Sequence, residues 1–71
     1  MWKIRIELVR VKKLPRGGEE YLRKEYIYEM DKKVWTFAEV AESVEWTARK
    51  FEEEGWQVWK FSITGKANEM P

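Results

Sequence analysis

Aromatic rings set among cations are the residues of this 71-residue sequence best suited to chemistry, and the chemistry they suit is recognition. Tyr26 and Tyr28 stand two apart beside Lys24, while Lys3, Arg5 and Lys60 belong to segments that a sheet would bring alongside. Rings stack on bases at about 1–3 kcal/mol each, and cations neutralise phosphates. If these side chains share one open face, they make a surface for single-stranded nucleic acid. Trp46 is the second feature. It sits amid Glu39, Glu42, Arg49, Lys50 and Glu53, on what a helical wheel gives as the polar side. Either its ring lies along the stems of Arg49 and Lys50, or it anchors a protein partner, since Trp is the type most enriched at interface hot spots. The anchor reading weighs more.

Catalysis finds little to work with. The chain has no His and no Cys, which removes the imidazole base, the thiolate nucleophile and the sulfur- or imidazole-ligated metal site. Its aliphatic hydroxyls are Thr36, Thr47, Thr64, Ser43 and Ser62, with no imidazole to activate any of them. Glu52, Glu53 and Glu54 are consecutive, so helix geometry splays them apart, and a solvated helix end is the better reading. Gly17-Gly18 lacks the further glycines of a phosphate loop and reads as a turn. No catalytic, cofactor-binding or metal-binding residue is assigned, and the expectation is a protein that is not an enzyme.

Length allows one small domain. A chain of this size buries only about 60% of the surface it exposes when unfolded, which leaves little core for five tryptophans. Charged residues make up 38% and aromatic residues 15%, a pairing that suits a thermophile protein. No run approaches the roughly 18 apolar residues of a membrane span, and Met1-Trp2-Lys3-Ile4-Arg5 is not a signal peptide, so a cytoplasmic protein is expected. Fourteen Lys and Arg oppose thirteen Asp and Glu, but unevenly. Residues 1–18 carry Lys3, Arg5, Arg10, Lys12, Lys13 and Arg16 against Glu7 alone. Residues 37–55 carry Arg49 and Lys50 against six glutamates. A basic hairpin and an acidic helix follow, a polarity able to steer an anionic partner to one side.

The positioning elements read in the order β-β-α-β. Trp2, Ile4, Ile6 and Leu8 alternate with polar residues, the period of a half-buried strand. The alternation slips at Leu8-Val9, where a bulge would restore Val9 and Val11 to the apolar row. Leu14-Pro15-Arg16-Gly17-Gly18 is turn chemistry, and residues 20–30 return as a second strand. Thr36 with Glu39 three residues on forms a capping box, and Trp35 can staple onto Val40. Phe37, Val40, Ala41, Val44, Ala48 and Phe51 then form one helical stripe, closed by Gly55. Residues 56–64 read as the last strand, with Trp59, Phe61 and Ile63 on one face and Trp56, Val58 and Lys60 on the other. The domain spans 1–64, and 65–71 reads as an unstructured tail.

This is an α+β fold: a three-stranded antiparallel-type sheet with one helix packed on one face. The other face lies open, and what it shows depends on the register of residues 20–30. In one register Tyr26 and Tyr28 point outward beside Lys3, Arg5, Lys24, Val58 and Lys60. In the other, Leu22, Tyr26, Tyr28 and Met30 are core, and Tyr21, Arg23, Glu25 and Ile27 are outside. The expected function is a non-catalytic protein-interaction module, binding another protein or itself as a homo-oligomer through Trp46, Tyr26, Tyr28, Trp56 and Val58. The alternative is a single-strand nucleic-acid binder using Lys3, Arg5, Lys24, Tyr26, Tyr28 and Lys60.

Overall fold

In the computed structural model, which describes residues 1–65, the chain forms β1 (Trp2–Lys13), β2 (Glu19–Met30), α1 (Phe37–Glu53) and β3 (Gln57–Gly65). The strands lie in the order β2-β1-β3, with β1 antiparallel to both neighbours. This is the α+β fold with a three-stranded sheet expected above. Gly65, expected to begin an unstructured tail over 65–71, instead closes β3 opposite Trp2, and the rest of that expected tail lies outside the described residues.

The turn between β1 and β2 shows why these residues reverse the chain. The Gly17 N–H donates to the Leu14 carbonyl at 3.1 Å, and the Leu14 N–H donates to Gly18 at 3.2 Å. Pro15 and Arg16 fill the bend and Gly17 follows at φ 88°, a conformation closed to most side chains. From Leu14 and Gly18 the ladder alternates. Even-numbered β2 residues direct their backbone groups to β1, and odd-numbered residues direct theirs to the outer edge.

Helix α1 begins with the expected capping box. The Glu39 N–H donates to Thr36 Oγ1 at 3.3 Å, and the Thr36 N–H donates to the Glu39 carboxylate at 2.9 Å. It ends in a Schellman arrangement. Gly55, at φ 90°, donates to Glu52, and Trp56 donates to Phe51. The guanidinium of Arg10 donates to the Glu54 carbonyl, so a β1 cation offsets the three glutamates at the negative end of the helix.

Ile4, Ile6 and Leu8 of β1 pack beneath Val40 and Val44 of α1 to make the fully buried core. Trp2, Tyr28, Met30, Phe51, Trp56, Val58 and Ile63 surround it, half-buried. Cross-strand pairing sets the register of β2: Ile4 faces Tyr28 and Ile6 faces Tyr26, which places both tyrosines on the helix side. The second of the two registers read from the sequence is therefore the one adopted.

The bulge sits elsewhere than the Leu8-Val9 slip implied. β1 pairs with β2 without interruption from Trp2 to Lys13, so Val9 and Val11 face away from the helix. The extra residue belongs to β3. Glu7 pairs with Lys60 but Leu8 pairs with Val58, leaving Trp59 inserted between them. That insertion turns Trp59 to the open face and brings Val58 to the helix side, reversing the faces expected for both. Ile27, expected inward, is also on the open face, opposite Arg5.

β3 accompanies β1 only as far as Val9. Beyond it the two long strands continue as a two-stranded arm, and every residue from Val11 to Tyr21 is exposed. The arm accounts for the elongated 56 × 24 × 12 Å outline.

Candidate protein-interaction surfaces

Trp46 is 62% exposed and lines a groove with Trp35, Met30, Ser43, Glu39 and Glu42. The helix supplies Trp46 and the two glutamates, the loop after β2 supplies Trp35, and the end of β2 supplies Met30. The groove thus lies where α1 meets the β2 side of the sheet. Lys50 sets its ammonium 5.1 Å from the centre of the Trp46 ring, one turn further along. That contact covers one side of the ring and leaves most of the indole accessible. Ser43 closes the floor, with its hydroxyl 2.9 Å from that of Tyr28 and 3.4 Å from the Met30 sulfur.

The open sheet face carries a different set of rings from the one the first register offered. Trp59 is 54% exposed there, and the Arg23 guanidinium lies 5.7 Å from its ring centre. Val9 lies between them on β1. Val11 pairs with Tyr21 further out, and both are exposed, as is Ile27. Charged residues occupy the middle of this face. Glu7 faces Glu25 directly, an unfavourable pairing relieved by Lys60 opposite Glu7 and by an Arg5–Glu25 ion pair at 3.2 Å. Both partners of that pair are half exposed, so it contributes at most about 1 kcal/mol.

The residues singled out from the sequence are distributed over both faces. Tyr28 is half-buried under α1, and Tyr26 packs edge-on to Phe51 at 5.4 Å between ring centres. Trp56 and Val58 are half-buried against the core. Lys24 lies on the helix side, 5.1 Å from the ring of Phe51 and 5.5 Å from that of Trp56. Lys3, Arg5 and Lys60 pair with Glu29, Ile27 and Glu7 on the open face. The six residues named for nucleic-acid binding are therefore split three and three, with both tyrosines on the side away from Lys3, Arg5 and Lys60. Of the residues named for partner binding, Trp46 lies fully at the surface and Tyr26 is 41% exposed. Tyr28, Trp56 and Val58 serve the core.

Trp59 and Trp35 were not picked out by sequence reasoning. The signal for Trp59 was present: Val58-Trp59 is an apolar doublet that breaks period-2 alternation, as Leu8-Val9 does. Leu8 and Val58 are opposite one another, so one slipped strand accommodates both doublets.

Among the described residues no group of carboxylates is disposed to hold a metal ion, and no helix is long and apolar enough to cross a membrane. No family model, curated protein or solved structure is significantly similar to this chain.

Proposed function

We propose that this chain is a non-catalytic protein-interaction module of the cytoplasm, with a contact surface running from the Trp46 groove to the adjoining edge of β2. The observation that carries the reading is Trp46 itself. An indole 62% exposed beside Trp35 and Met30 adds nothing to the core formed by Val40, Val44 and β1. Amphipathic rings in an apolar recess with polar walls are the composition of interface anchors. Glu39 and Glu42 on the groove wall favour an apolar peptide segment that also carries a cation.

The test is selection of peptides from a random display library on the wild-type chain, counter-screened on Trp46→Ala, alongside light scattering of both proteins. The expected result is binding or self-association by the wild type that weakens tenfold or more in Trp46→Ala while the fold is retained. A wild type that enriches no peptide and stays monomeric overturns the reading.

Single-strand nucleic-acid binding draws less support. The residues named for it do not share a surface, since Tyr26 and Tyr28 lie across the sheet from Lys3, Arg5 and Lys60. The rings that do share the cations' face, Trp59 and Tyr21, stand apart on β3 and β2, with the Glu7 and Glu25 carboxylates on the same face.

A further inference from the structure

The outer edge of β2 is a row of backbone donors and acceptors twelve residues long, with no proline and no bulge. Among the described residues no strand pairs with it. Strands guard such an edge by shortness, proline, a bulge or charged side chains. β3, the opposite edge, carries the Trp59 bulge; β2 is long and unbroken and carries only charge, of both signs, which an antiparallel second copy can match.

We infer that the partner of the β2 edge is a second copy of this chain, paired antiparallel through β2 about a two-fold axis at Lys24. The inference rests on the protein-interaction reading and names its partner. A two-fold axis normal to the sheet must keep helix-side residues opposite helix-side residues, which allows only registers centred on a residue. With Lys24 on the axis, Arg23 of each copy stands opposite Glu25 of the other, matching charge on the open face. Tyr21 stands opposite Ile27 on that face, and Leu22 opposite Tyr26 on the helix side, matching apolar side chains on both. Every one of these contacts occurs twice, and so does Glu19 opposite Glu29, a like-charge pair whose members face Lys13 and Lys3 of their own β1.

Neighbouring registers lose the match. An axis at Arg23 or Glu25 gives up the Arg23–Glu25 match and sets that residue against its own copy, an axis at Leu22 sets Glu19 against Glu25, and an axis at Tyr26 sets Glu25 against Ile27. The two axial lysines do not oppose the pairing, because each ammonium is already drawn back over its own Phe51 and Trp56 rings. The alternation of the ladder also agrees. Arg23, Glu25, Tyr21 and Ile27 are the odd-numbered residues whose backbone groups face outward, so the charge-matched and apolar pairs are also the hydrogen-bonded ones.

The chain has no cysteine, so single substitutions report the axis directly. Arg23→Cys, Lys24→Cys, Glu25→Cys and Tyr26→Cys would each be oxidised with glutathione disulfide, and the rate of covalent dimer formation compared. The rate is expected to peak at Lys24→Cys by tenfold or more, because a residue on the axis meets itself across a non-hydrogen-bonded pair. Light scattering should give the wild type twice its 8.7 kDa mass. Glu25→Pro, at an outward-facing edge N–H that the monomer leaves free, should halve that mass with the circular dichroism spectrum kept. A maximum at another residue, or a dimer that survives Glu25→Pro, overturns the pairing. A wild-type monomer that still binds peptides through Trp46 overturns the pairing alone and leaves the interaction reading standing.

Discussion

The hydroxyls of Tyr28 and Ser43 lie 2.9 Å apart, joining the second strand to the helix beside the buried core. Ser43 is 2.6 Å from the Val40 carbonyl and has one proton to give, so the Tyr28 hydroxyl is the donor to Ser43. Tyr28→Phe removes this bond with the ring left in place. Urea denaturation should show a loss of about 1 kcal/mol, because Ser43 keeps its bond to Val40. An unchanged midpoint would mean that the hydroxyl pair holds nothing.

Thr36→Ala deletes the side-chain acceptor of the capping box. Stability should fall by about 1 kcal/mol, read from the denaturation midpoint, with little change under Thr36→Ser. Equal losses in both variants would contradict the capping role.

Ile6→Ala is the most damaging single change expected. Ile6 is fully buried at the centre of a core built on five side chains, and the cavity should cost about 2–5 kcal/mol. That is a large share of the total for a chain this short, since stabilities run at roughly 0.05–0.15 kcal/mol per residue. The variant should therefore be partly unfolded at room temperature by near-ultraviolet circular dichroism.

Gly65→Ala tests the far end of the sheet. Trp2 pairs with Gly65 across the strands, and its ring occupies the space that a β-carbon there would need. Displacing the indole should cost about 1–3 kcal/mol in thermal unfolding and disturb the Trp2 bond to the Trp35 carbonyl. Full stability in this variant would show that the ring moves aside freely.

Oligonucleotide titration separates the two functional readings. With Tyr26 and Tyr28 engaged by Phe51 and Ser43 on the helix side, the platform read from the sequence is not assembled. The rings that share the open face with Lys3, Arg5 and Lys60 are Trp59, already engaged by Arg23, and Tyr21. Tryptophan fluorescence should stay unquenched by oligothymidylate at low salt. Quenching that weakens with salt by about 0.7 logarithmic units per phosphate contacted would restore the nucleic-acid reading.

Much of the fold was legible because its signals were local. Thr36 and Glu39 fixed the start of the helix, Gly55 its end, and Pro15 with Gly17 the turn, each through a backbone requirement that few residues meet. The site was less legible because it depends on faces. In β2 apolar residues occur at both parities, Ile27 on one side and Leu22, Tyr26, Tyr28 and Met30 on the other, so period-2 reasoning returned two answers. The decision came from Ile4 and Ile6, whose burial under Val40 drew their cross-strand neighbours to the same side. β3 misled for a related reason. One inserted residue reversed Trp59 and Val58, and such an insertion is set by how strands meet. Trp46 was found because a ring on a polar helical face needs no partner strand to be noticed.

The inserted Trp59 bears on what this chain must avoid as much as on what it binds. A sheet with two receptive borders grows by adding copies at both, and such growth has no natural end. With Trp59 inserted into β3, the register at that border shifts between Glu7 and Leu8, and a bulge of this kind bends and twists its strand. With pairing through β2 as inferred, association would stop at a closed pair, and the surplus residue in β3 would be what keeps the sheet from growing further. Deleting Trp59 would straighten the blunted side and should be read by thioflavin fluorescence over days.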